Sequence, residues 1–168
     1  MTLPECILSE PELKPFIDAA NRVHVKSVES EKTLREFLAA ILSYMPGWMR
    51  FLYRVRAVFV RLLGSRQEDT PQALAIGPED IDFTKGAAMA FFQVVAGKEG
   101  RYLLGQAADK IITGTLGVIA EPLESGAHRF HILTMARYNH WTGRIYFNVI
   151  NPFHHLVVWS MARHALKS

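Results

Sequence analysis

From Thr142 to Leu166 the chain keeps a helical period, and a helix that long with one broad apolar face needs a large apolar surface to lie against. Tyr146, Phe147, Ile150, Phe153, His154, Val157, Val158, Met161 and Ala165 share that face, while Arg144, Asn148, Asn151, His155 and Trp159 fall on the other side. Pro152 cannot donate to the carbonyl of Asn148, so a kink is expected there. The surface for such a helix lies just upstream, where the period changes to that of strands. Met89–Val95, Arg101–Ala108, Lys110–Glu121 and His128–Tyr138 are separated by turns such as Gly97-Lys98-Glu99-Gly100 and Glu124-Ser125-Gly126. Phe91, Phe92, Val94, Val95, Tyr102, Leu103 and Leu104 form contiguous apolar runs, so these strands are covered on both faces or face a lined cavity. Gly105, Gly114 and Gly117 interrupt two of them and are expected at bulges or sharp bends of a curling sheet.

The first part of the chain adds one strand and two helices. Residues 1–20 contain Pro4, Pro11 and Pro15 and read as an extended arm. From Arg22, Val23 and Val25 alternate with His24 and Lys26, until Ser27 and Val28 break the step. Leu34, Phe37, Leu38, Ile41 and Leu42 then follow one helix face, with Ser30 available as N-cap. A second helix opens at Met45-Pro46-Gly47, with Trp48, Phe51, Leu52, Val55, Phe59 and Leu62 as its apolar stripe and Gly64 as a left-handed C-terminal cap. Arg50, Arg54 and Arg61 fall together on a different face, while Arg56 lies apart. Those three arginines read as the solvated face of a packed helix, with contact to a membrane surface or an acidic ligand as the alternative. Residues 64–86 are polar and form a long connection, mobile or functional.

Composition bounds the classes available. With 168 residues, 49% of them apolar or aromatic, the chain can bury a core and is expected to be a single domain. The lone Cys6 leaves no intrachain disulfide and no cysteine-based zinc finger. The net charge of +3 is spread without a dense basic block, which argues against nucleic-acid binding. Glu5 stands where a signal peptide would carry Lys or Arg. The longest candidate for a membrane span, about residues 145–162, contains Asn148, Asn151, Pro152, His154 and His155, too many polar groups for a lipid-facing helix. A cytoplasmic protein is expected, with its oligomeric state left open.

The element order is strand, two helices, antiparallel strands and one long C-terminal helix, an α+β domain. It resembles the helix-grip fold of the START/Bet v 1-like (SRPBCC) superfamily, whose members hold lipophilic ligands between sheet and terminal helix. A closer resemblance lies in Arg137-Tyr138-Asn139, Gly143-Arg144-Ile145-Tyr146 and Asn151-Pro152-Phe153-His154. With Pro46-Gly47-Trp48, Arg56 and Gly105–Thr115, these look like a bacterial domain family of unknown function placed near that superfamily. The resemblance covers the chain from about residue 22 onward. It implies a fold and no reaction.

The expected ligand-binding set is Tyr146, Ile150, Phe153, His154 and Val157 on the helix, with Thr134 and Arg137 on the sheet. Phe92, Leu104, Ile112 and Thr134 are expected to face that helix from the strands. His154 is either a satisfied core histidine or a hydrogen-bonding group of the pocket, since imidazole donates and accepts at once. His155 points away, into solvent. Asn139 and Thr142 suit turn or capping roles at the helix entry. Arg144 sits in the first turn, where the dipole disfavours a cation, so a carboxylate partner is expected among Asp109, Asp82 and Glu121. His128 and His131, three apart on a strand, point to opposite faces. No motif for metal, nucleotide or nucleophilic chemistry is present, and no metal or cofactor is expected.

These features point to a protein that holds a hydrophobic or amphipathic small molecule between sheet and C-terminal helix. One alternative is a cyclase, aromatase or hydrolase using the same pocket, with His154 paired to Asp109 or Tyr146. The other is a ligand-free interaction or membrane-surface protein that works through Arg50, Arg54 and Arg61.

Overall fold

The computed structural model describes residues 3–62 and 75–167. Two short helices, α1 (Glu5–Leu8) and α2 (Lys14–Ala19), come first. Strand β1 (Arg22–Ser30) leads into α3 (Leu34–Ser43) and α4 (Gly47–Leu62). Then come β2 (Ala88–Met89), β3 (Phe92–Lys98), β4 (Tyr102–Ala108), β5 (Ile112–Pro122), β6 (His128–Tyr138) and the long α5 (Thr142–Ala165). The six strands make one antiparallel sheet in the order β1-β6-β5-β4-β3-β2, so the first and last strands pair, Arg22 with Ala136 and Ser30 with His128. With α3 and α5 packed against that sheet, the arrangement is α+β and helix-grip-like, as the element order implies.

Register explains the contiguous apolar runs. Val28, Phe130, Ala120, Val118, Leu103 and Val94 point to one face of the sheet, where α3 and the C-terminal half of α5 cover them. Phe37 and Phe130 stack there with ring centroids 4.0 Å apart. Alternate residues, among them Val23, Val25, Met135, Leu133, Ile119, Leu104 and Tyr102, point to the opposite face. Both faces are buried, so neither sheds its apolar residues.

The covering of that opposite face corrects the expected extended arm. Residues 5–8 and 14–19 are helical, and Ile7 and Leu13 are wholly buried against Leu104, Leu133 and Ile119. Polar ties fix the segment at the sheet: Arg101 pairs with Glu10 at 2.6 Å and the Tyr102 hydroxyl donates to Glu12 at 2.7 Å. Pro15 sits in the first turn of α2, where a missing N–H costs nothing.

Other expectations shift for local reasons. The N-cap of α3 is Thr33, not Ser30, because β1 stays paired through Ser30. Thr33 and Glu36 form a reciprocal capping box. The one register shift, between Val94 and Ala96, lies across from Leu104 and Gly105, while Gly114 and Gly117 sit in regular pairing. Of the polar 64–86 connection, residues 75–86 carry a short 3₁₀ turn held by Arg35, which donates to the carbonyls of Pro78 and Ile81. The rest of it, with the Gly64 cap, lies outside the described residues. The largest departure is α4, where only Met49 and Val60 are fully buried. Trp48, Phe51, Val55 and Leu62, four of the six residues of the apolar stripe expected on a packed helix, are exposed.

If α1 and α2 cover the outer face as described, Leu13→Ala leaves a cavity there and lowers stability by about 2–4 kcal/mol. Urea unfolding followed by circular dichroism checks this; an extended arm would lose less than about 0.5 kcal/mol.

Candidate functional site

Helix α5 rests on two separate patches of core. Its C-terminal end packs through Val158, Ala162 and Ala165 with α3, and its N-terminal end packs through Tyr146 with Val60, Ile111, Ile112 and Ala136. The N-terminal end is seated closely, because a Cβ on Gly143 would stand 2.6 Å from the Ile111 carbonyl oxygen. Asn139 braces that junction, its amide donating to the Asp109 carbonyl at 2.7 Å and to the Thr113 hydroxyl at 2.9 Å. Between the two patches the helix spans a floor of Leu116 and Thr134 with the small Gly114. A Cβ on Gly114 would find only the Ala107 carbonyl oxygen, at 3.9 Å, so the floor opens there on space. The result is a cavity of about 1220 Å³. Leu52, Val55 and Phe59 of α4 form one wall. At the rim, Ala90 adopts φ +54° in the turn before β3 that presents Phe91.

The residues named from the sequence divide cleanly. Tyr146, Ile150, Phe153, His154, Val157 and Thr134 line the cavity, with Phe153 half exposed at its edge. Arg137 does not line it: odd-numbered residues of β6 point to the opposite face, and Arg137 is exposed. Leu104 is also on the wrong face, buried against Leu133 and Ile119, and its neighbour Gly105 faces inward beneath Phe92. Phe92 and Ile112 face the cavity as expected.

The polar groups of the lining are mostly cationic or neutral. The single acidic residue of the described lining, Asp109, turns Oδ1 to the amides of Ile111 and Ile112 at 2.7 and 2.8 Å. Arg56 reaches in from α4, donates through Nε to the Tyr146 hydroxyl, and makes no ion pair among the described residues. Burial keeps the Tyr146 hydroxyl protonated above the ordinary phenol range, against the pull of the Arg56 charge. His154 is pushed down to about 4, first by burial and then by His155, His24 and Arg56. His24 is lowered in the same way, by burial, then His155 and Arg22. Its Nε2 and the Asn151 Oδ1 are buried without a hydrogen-bond partner among the described residues.

Sequence reasoning did not find three of these groups. Arg56 was visible only as an arginine off the basic face of α4, His24 only as the polar half of an alternating pair, and Asn151 was placed on the solvated side. His155 is exposed as expected, yet its ring meets His24 edge-on at 4.7 Å. The proposed partners of His154 are engaged elsewhere, Asp109 with backbone and Tyr146 with Arg56. Arg144 is exposed and pairs with no carboxylate among the described residues.

Away from the cavity, Cys6, Glu121 and His131 bring a thiol, a carboxylate and an imidazole within 4.8 Å of one another on the opposite face. Both imidazole nitrogens are already engaged, Nδ1 with the Ser27 hydroxyl at 2.8 Å and Nε2 with Glu121 at 3.1 Å. Burial, then Glu121, keeps the Cys6 thiol protonated. Ser27, His131 and Glu121 therefore form a hydrogen-bonded chain that takes up both imidazole nitrogens. His128, on the other face as its spacing requires, meets the Lys32 carbonyl oxygen at 3.1 Å.

The sequence pattern of a family described as Protein of unknown function (DUF2867) matches residues 16–161, most of the chain. No curated protein and no solved structure matches significantly. No described helix is long and apolar enough to cross a membrane.

The depressed His154 sets a pH dependence with a definite sign. Unfolded, the imidazole titrates near its ordinary 6.5; folded, it titrates at about 4, so between those values the unfolded chain binds more protons. Stability is full above about pH 6.5 and falls as the pH drops toward 4, by about 2–3 kcal/mol from this group. In urea titrations across that range, His154→Leu should show a shallower loss than the parent, with the His24 contribution remaining.

Proposed function

We propose that this chain, which belongs to the DUF2867 family, holds an amphipathic small molecule in the cavity beneath α5, with an anionic head at Arg56. The observation that carries this reading is a guanidinium inside a largely apolar cavity with no carboxylate paired to it among the described residues. A desolvated cation without a counter-charge is costly, and a bound anion removes that cost. The Tyr146 hydroxyl, oriented by Arg56, offers its proton to the same head. An aliphatic body then lies over Gly114, Leu116 and Thr134, each methylene removed from water contributing about 0.8 kcal/mol. Neutral His154 and His24 supply donors or acceptors without adding charge along that path. The helix-grip-like order supports kinship with the START/Bet v 1-like superfamily, which places its ligands between sheet and terminal helix.

Native mass spectrometry of freshly purified protein, with denaturing release of any extra mass, should find a stoichiometric amphiphile. Titration with a long-chain fatty acid and the matching alcohol should favour the acid, and Arg56→Gln should reduce that preference by about 10–100-fold. Gly114→Leu should fill the floor and abolish binding of both probes while unfolding stays cooperative. Protein that carries no companion and binds neither probe would overturn the reading.

A further inference from the structure

Helix α4 carries an apolar sector and a cationic ridge on the side that the described residues leave uncovered. Its described neighbours hide Met49 and Val60, and its cavity wall uses Leu52, Phe59 and one side of the half-exposed Val55. Next around the helix, at about 100° per residue, come Trp48, Val55, Leu62, Phe51 and Val58. Leu62 is 79% exposed, Phe51 63% and Val58 58%. Beyond that apolar sector lie Arg54, Arg61 and Arg50, all exposed and in no ion pair among the described residues. An isolated exposed Leu or Phe means little, but five on one helix face mark a surface that binds something.

Charge decides what that something is. Neither α4 nor α5, which also exposes Ile145, Val149 and Leu156, contains an Asp or Glu. A second copy docking helix to helix on this face would set arginine against arginine. An apolar sector beside an all-cationic ridge, on a helix of low net hydrophobicity, matches the interfacial region of an anionic bilayer instead.

We infer that α4 is a peripheral docking element for anionic membranes: Trp48, Phe51, Val55, Val58 and Leu62 enter the acyl boundary, and Arg50, Arg54 and Arg61 meet the lipid phosphates and carboxylates. Docked this way, the helix holds its adjoining face, the cavity wall of Leu52 and Phe59, next to the bilayer surface. The inference does not require that the cavity be occupied. It stands or fails separately from the proposed ligand.

Flotation of the full chain with phosphatidylcholine vesicles, with and without phosphatidylserine, tests it. The expected result is binding to the serine-containing vesicles that weakens with salt. Arg50→Gln/Arg54→Gln/Arg61→Gln should lower it on the order of 100-fold. Phe51→Ser/Leu62→Ser, at surface positions where the fold is kept by circular dichroism, should abolish it. No binding at low salt, or binding indifferent to both variants, would overturn the inference. So would self-association that Phe51→Ser/Leu62→Ser dissolves in protein that ignores vesicles.

Discussion

Much of this structure follows from how α5 is supported. The helix is anchored at two places, by Tyr146 on the Val60–Ile112–Ala136 patch and by Val158, Ala162 and Ala165 against α3. Gly143 lets the first anchor sit against the Ile111 backbone. With both ends held, the stretch between them cannot settle onto the sheet. The small Gly114 below it does not reach up to meet it, so the cavity is a consequence of where the anchors lie.

The same arrangement governs the electrostatics. Groups carried into the gap by α4, α5 and β1 lose water without gaining carboxylates, since the one described acid of the lining is committed to backbone amides. Histidines answer by staying neutral, as His154 and His24 do. Arg56 instead leans on the Tyr146 hydroxyl and ring. The contrast with the opposite face is instructive. There Glu10, Glu12, Glu29 and Glu121 meet Arg101, Tyr102, Arg129 and His131, and the polar groups are satisfied within the chain.

Legibility in the sequence tracked how local each signal was. The inward positions of α5 were readable because a helix wheel needs only its own residues, and Tyr146, Ile150, His154 and Val157 lie where the period puts them. Thr134 and Arg137 suit a pocket by chemistry alone; three apart on one strand they point to opposite faces by alternation, and only the packing of the sheet decides that Thr134 is the inward one. Leu104 and Gly105 were exchanged for the same reason, since in a run apolar on both faces composition does not say which side is which. For α4 the amphipathic stripe was read correctly and its burial was not, because the cover offered by the described fold reaches only Met49, Val60 and the cavity wall. In the N-terminal segment the prolines suggested extension. Ile7 of α1 and Leu13, the N-cap of α2, outweigh that preference because a sheet face needs covering.

What the sequence by itself determined is the order of elements, the turns, and the apolar face of each regular segment, because these depend on spacings of a few residues and on backbone preferences. Whether the sheet's second face would be covered, where the gap under α5 would open, and which charges would enter it were decided only by tertiary structure. They depend on strand register and on contacts between residues far apart in the chain, such as Arg56 with Tyr146, and no local pattern encodes those distances.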